Sequence, residues 1–156
     1  MIERFEKHPS GSAVGHHRDL YFTGWTKDVT VPALQSIRAH RLEFLRQHEG
    51  PAIAVQMVFQ LEAKMLPKEA RRLIEQINAD APDRFRGEAF YVQAGGIALS
   101  AVRFVIAGVQ LVNGTKWPLE VFGSMPEAAR WLAGLSATPE GELLAAMREF
   151  ERLCKR

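Results

Sequence analysis

Ala52-Ile53-Ala54-Val55-Gln56-Met57-Val58-Phe59 is a nearly unbroken apolar run of strand length, preceded by the turn pair Gly50-Pro51. Successive side chains of a strand point to opposite faces, so a half-buried strand alternates apolar and polar residues. A run apolar at consecutive positions is instead covered on both faces, as the strands of a parallel sheet are. The stretch therefore predicts a central strand in an α/β domain, with helices crossing over the sheet before and after it.

On its N-terminal side the pattern is helical. Asp28 or Thr30 is placed to cap, Pro32 suits a first turn, and Leu34, Ile37, Phe44 and Leu45 follow helical spacing with Leu42 on the flank. Arg41 interrupts that stripe. Further upstream, Ala13-Val14 and Leu20-Tyr21-Phe22-Thr23-Gly24-Trp25 favour strands, and His16-His17-Arg18-Asp19 between them reads as a hairpin bend. Residues 1–12, through His8-Pro9-Ser10-Gly11-Ser12, hold turn formers and little periodicity, and are expected to be a flexible N-terminal segment.

On the C-terminal side, Pro67 opens a helix with Ala70, Leu73, Ile74 and Ile77 on one face, and Pro82 closes it. Ala89-Phe90-Tyr91-Val92-Gln93 reads as a second buried strand, followed by Gly95-Gly96. A helix over about 100–112 has only Arg103 and Gln110 as strongly polar residues, and a helix apolar almost all round is buried in a core or against a partner. Asn113-Gly114 ends it, Leu119-Glu120-Val121-Phe122 is a further strand, and Ser124 with Glu127 three residues on has capping-box spacing around Pro126. Ala128, Ala129, Leu132 and Leu135 form that helix's inner face. After a break at Ser136-Ala137-Thr138-Pro139, a last helix carries Leu143, Met147, Phe150 and Cys154 on one stripe.

The order is β-β-α-β-α-β-α-β-α plus one extra C-terminal helix: an α/β fold with a mixed, mostly parallel sheet of about five strands. Alternation of strand and helix implies right-handed crossovers, with the first hairpin as an antiparallel edge. Residues 13–135 form the domain and 136–156 an appended amphipathic helix, which either packs back on its own domain or docks a partner.

Composition narrows the function. The chain has 156 residues, 47% hydrophobic and 24% charged, which suits one globular domain. Twenty basic against eighteen acidic residues leave a charge of +2 with no polybasic tract, so no stripe meets the phosphates of a nucleic acid. A single cysteine, Cys154, excludes an internal disulfide and a Cys-rich zinc site. No run of about 18 apolar residues predicts a membrane span, and Met1-Ile2-Glu3-Arg4-Phe5 lacks the apolar stretch of a signal peptide, so a cytoplasmic location is expected.

With these segments the chain resembles the STAS family, the sulfate-transporter and anti-sigma-factor-antagonist domains, and especially its divergent bacterial branch. The residues that carry the likeness are Leu20 to Trp25 leading into a helix at Pro32, Ala52 to Phe59, and Ala89-Phe90-Tyr91-Val92. Leu119-Glu120-Val121-Phe122-Gly123-Ser124 with Glu127-Ala128-Ala129-Arg130-Trp131-Leu132 completes it. The resemblance implies a STAS-like fold and a binding module acting through protein contacts. Phospho-regulated members carry a Ser or Thr where the helix after the central strand begins. Here that junction is Gln60-Leu61-Glu62-Ala63-Lys64-Met65-Leu66-Pro67, without a hydroxyl, so the usual phosphorylation switch is not expected.

Motifs that carry chemistry are sparse, and neither a cofactor nor a metal is predicted. His16 and His17, adjacent on a strand, point to opposite faces, and His40, His48 and Glu43 lack the i, i+4 spacing of a helical metal pair. Gly95-Gly96 lies between a strand and a helix, where backbone N–H groups cradle phosphates, yet no Gly-Lys-Ser/Thr follows and a tight turn explains both glycines. Cys154 on an apolar stripe reads as a packing residue, and Asp80, Asp83, Glu62 and Glu88 as turn carboxylates with no spacing that pairs an acid with a base.

The sequence therefore points to a non-enzymatic regulatory or scaffolding domain that binds another protein or a second copy of itself. Candidate contact residues are Phe104, Leu111, Trp117, Leu143, Met147 and Phe150, Trp117 being the first to test for exposure. The alternative is a small apolar-ligand or lipid-binding domain using loops at the strand C-terminal ends, with Leu61, Met65, Gly95, Gly96, Ile97 and Ser100 as lining. An enzyme acting on a metal or phosphate substrate at Gly95-Gly96 is the third reading.

Overall fold

The computed structural model of the chain describes residues 1–60, 66–93 and 116–156. Among these residues six strands form one sheet in the order β1-β2-β3-β4-β5-β6: Glu3–Lys7, Ser12–His17, Leu20–Trp25, Ala52–Val58, Phe85–Val92 and Leu119–Phe122. Four helices accompany them: α1 (Val31–Gln47), α2 (Lys68–Ala79), α3 (Met125–Ala133) and α4 (Glu140–Cys154). The first three strands pair antiparallel and β3 to β6 run parallel, so the mixed, mostly parallel sheet expected from the sequence is observed.

The apolar run is β4, at the middle of the sheet, with Ala52, Ile53, Ala54, Val55, Met57 and Val58 all buried. Its odd residues Ile53, Val55 and Met57 join Leu20, Phe22, Ala89 and Tyr91 in a core closed by Met125, Ala128, Ala129 and Leu132 of α3 and by Leu143, Ala146, Met147, Phe150 and Cys154 of α4. Its even residues Ala52, Ala54 and Val58 join Tyr21, Trp25 and Phe85 beneath Ala33, Leu34, Ile37, Phe44 and Leu45 of α1 and Ala70 and Ile77 of α2. Alternation of faces within one apolar strand thus divides the protein into two cores.

Local signals begin two of the helices. Thr30, rather than Asp28, caps α1, its hydroxyl accepting from Ala33 N at 3.3 Å, and Pro32 sits in the first turn. Ser124 caps α3 by accepting from Glu127 N at 3.4 Å, as the capping spacing predicts. The last helix lies close on the sheet because Gly24 of β3 has no side chain: a Cβ there would stand 2.7 Å from Cys154 Sγ.

Two features depart from the sequence reading. A sixth strand, β1, occupies part of the stretch read as a flexible, turn-rich segment. Its periodicity is hidden because Phe5 is its one apolar residue, set edge-on to Phe150 at 5.8 Å, while backbone pairing with β2 supplies the rest. A register shift between Glu3 and Glu6, a left-handed Arg4 (φ +49°) and mostly exposed charges blunt this edge strand against pairing with other chains. Second, Arg41 does not break the stripe of α1; it lies on the inner face and is 2% exposed. The helix expected over 100–112 lies outside the described residues.

Candidate functional site

The contact residues named from sequence divide in two. Trp117, Leu143, Met147 and Phe150 are all buried within this chain, Leu143, Met147 and Phe150 in the core under α4 and Trp117 in the core under α1 and α2. Their spacing signals an inner stripe, and the sheet of the same chain covers it, so α4 packs on its own domain. Phe104 and Leu111, and the ligand candidates Leu61, Met65, Gly95, Gly96, Ile97 and Ser100, lie outside the described residues.

Beneath α1 the structure assembles a polar cluster that the sequence did not announce. Glu88 of β5, 4% exposed, accepts from Gln56 Nε2 of β4 at 3.1 Å and from Trp117 Nε1 at 3.3 Å. Gln56 Oε1 in turn accepts from Trp25 Nε1 at 3.0 Å. The Arg41 guanidinium stacks over Phe85, 4.0 Å from the ring centroid. Burial pulls the Arg41 pKa down, and the nearby Glu88, Tyr21 and Asp80 push it back up. Because Trp25 ends β3, this cluster reaches from the centre of the sheet to the carboxyl edge of its parallel strands.

A second buried carboxylate ties the opposite edge together. Asp19, in the β2–β3 turn and 8% exposed, accepts from Ser136 Oγ at 2.9 and 2.8 Å, from Thr138 Oγ1 at 2.7 Å and from Ala137 N at 3.1 Å. The turn is thereby locked to the α3–α4 connection. Asp19→Ala strips the acceptor from two hydroxyls and one backbone N–H. Its expected cost exceeds the ~1.5–3 kcal/mol of one charge-assisted hydrogen bond, read as a lowered urea midpoint.

Beside the bulge of β1, Arg4, Val14, Gly15, His16, Tyr21, His40, Glu43, Phe44 and Gln47 line a small groove that opens to solvent. His16 faces α1, its ring 5.3 Å from that of Phe44, whereas His17 faces α4, with Nε2 2.8 Å from Glu142 Oε1. The adjacent histidines do point to opposite faces, as strand geometry requires. Across the groove mouth His40 Nε2 lies 2.8 Å from Glu6 and Arg4 Nη1 lies 3.8 Å from Glu43, so each has an acidic neighbour.

Burial lowers the His16 pKa from 6.5; Glu3 raises it, while Arg4, His48 and His17 lower it. A depressed histidine pKa favours the neutral form in the folded chain. The contribution is complete above the unfolded value and is lost as pH falls through the folded value. Unfolding midpoints measured from pH 7 downward are therefore expected to fall below the unfolded histidine pKa, with part of that slope missing in His16→Gln.

Cys154 also departs from its ordinary state: burial raises its thiol to about 12, with Lys7 lowering it and Glu151 raising it. The thiolate needed for nucleophilic attack is thus scarce near neutral pH. Among the described residues no helix is long and apolar enough to cross a membrane. Also among them, no group of three or more His, Cys, Asp and Glu is arranged to hold a metal ion.

No family model and no curated protein matches the chain. Among solved structures it is similar to an uncharacterised protein of the DUF3478 family from Shewanella loihica, described as having a SpoIIAA-like fold. The TM-score is 0.57 at 13% identity, over 85% of this chain and 95% of that one. The SpoIIAA-like fold is the STAS-like fold, so the architecture implied by the sequence resemblance is the one found.

Proposed function

We propose that this chain is a regulatory or scaffolding domain that acts in the cytoplasm by binding another protein and catalyses no reaction. The observation that carries this reading is the use made of the two buried carboxylates among the described residues, Asp19 and Glu88. Buried acids are the groups that enzymes tune for proton transfer. Here Asp19 is occupied by donors from the α3–α4 connection, and Glu88 by Gln56 and Trp117, so each joins elements of the fold. The SpoIIAA-like fold, shared with an uncharacterised protein, is compatible with such a role.

The surface we assign to the partner is the carboxyl edge of the parallel strands. Lys27 follows β3 there, Lys68 opens α2 after β4, and Lys155 ends α4 with its ammonium over Phe59 at 5.5 Å. Cross-linking through lysines in cells that make the protein, followed by mass spectrometry, tests the reading. One recurring partner linked at Lys27, Lys68 or Lys155, and lost when Lys27 and Lys68 are both changed to Glu, is the expected result. Links scattered evenly over all lysines would sink it. A lipid retained in native mass spectra of the purified chain would favour the apolar-ligand reading instead.

A further inference from the structure

Among the described residues three buried side-chain atoms make no hydrogen bond to protein groups: Thr23 Oγ1, Arg41 Nε and Arg41 Nη2. All three belong to the layer between α1 and the sheet. Thr23 of β3 is the register partner of Gln56 of β4, which donates to Glu88 of β5, and Arg41 descends on this face from α1. Thr23 is 1% exposed and Arg41 2%.

The two nitrogens of Arg41 form one edge of the guanidinium, the edge that grips two oxygens side by side. Arg38, one turn earlier on the same helix, shows that edge in use: its Nε and Nη2 donate to the two oxygens of Asp80 at 2.7 and 3.1 Å. Among the described residues none plays that part for Arg41. Glu88 is near enough to favour its charge, yet the carboxylate oxygens bond to Gln56 and Trp117 and retain unused lone pairs.

We infer that ordered internal water is bound here, joining the Arg41 guanidinium to the Glu88 carboxylate within reach of the Thr23 hydroxyl. Charge selects the ligand. Arg41 and Glu88 together sum to zero, so an added anion would leave the interior with uncompensated negative charge, which burial penalises. A neutral molecule that accepts from Arg41 and donates to Glu88 keeps the balance, and water does both. Immobilising it costs less than leaving charged N–H groups bare in the interior. A guanidinium edge, a carboxylate and a hydroxyl supply the two to four partners a buried water requires.

A high-resolution crystal structure of the unmodified chain tests this directly. The expected result is a single-atom density peak about 3 Å from Arg41 Nε or Nη2 and from a Glu88 oxygen. A direct Arg41–Glu88 bond, a polyatomic anion on that edge, or apolar atoms packed against it would each overturn the inference. Oxygen-17 relaxation dispersion in solution is the second measure: Arg41→Met, which keeps an unbranched apolar stem, is expected to lower the count of long-lived waters by at least one. An unchanged count in a folded Arg41→Met protein would also overturn it. If that variant does not fold, the crystallographic outcome alone decides.

Discussion

Glu88→Ala is expected to lower the unfolding free energy by about 3–5 kcal/mol, the usual cost of removing one partner from a buried charged pair. Two losses act together. Gln56 Nε2 and Trp117 Nε1 lose their acceptor, and Arg41, 2% exposed, keeps its charge with its strongest favourable counter-charge removed. Phe85 offers a ring face to the cation, but cation–π contact is worth roughly 2 kcal/mol when desolvated and does not replace a carboxylate. The double variant Arg41→Met, Glu88→Leu is expected to regain most of the loss, because apolar replacement of a buried pair is often neutral. Urea titrations of the single and double variants measure the coupling. Additive losses would show that Arg41 and Glu88 do not act as a pair.

Phe150→Ala is expected to cost about 3–5 kcal/mol, the range for deleting a buried phenyl ring. Phe150 is fully buried, stacks on Phe22 with centroids 5.0 Å apart, and takes the edge of Phe5 at 5.8 Å. One side chain thus joins α4 to β3 and to the edge strand β1. Burial of Leu143, Met147 and Phe150 is worth roughly 1.5–3 kcal/mol each, on the order of the whole net stability of ~5–15 kcal/mol for a domain. A chain ending at Ala137 is therefore expected to lose its near-ultraviolet circular dichroism rather than change its oligomeric state. Light scattering and circular dichroism on that chain check this; a folded truncated chain with altered mass would restore α4 as a partner surface.

The contrast between Arg41 and Leu143 shows where sequence reading succeeds. Leu143, Met147, Phe150 and Cys154 recur on one helical stripe, and the helix buries that stripe. The stripe identifies a covered face without saying which molecule covers it, and the expectation of a partner contact arose from that gap. Arg41 occupies the inner face of α1, but a charge in an apolar stripe reads as an interruption until Phe85 and Glu88 are seen beside it. Trp117, in a loop between Lys116 and Pro118, is the residue the sequence marks first for an exposure test; in the structure it is buried and its indole reaches Glu88, 29 residues away.

From sequence alone came the central strand at Ala52 to Val58, the alternation of strands and helices and the cap at Ser124, with the STAS-like architecture added by the family resemblance. The strand, the alternation and the cap rest on periodicity, or on bonds between residues a few positions apart, where spacing stands in for distance. Only the folded chain decided that Asp19 binds Ser136 and Thr138, that Arg84 caps α1 by donating to the Leu45 carbonyl, and that Phe5 anchors an edge strand. Those partners are separated by 117, 119, 39 and 145 residues (150 − 5 for Phe5 and Phe150). A polar group enters the interior only where a remote partner meets it, and local pattern carries no record of such meetings.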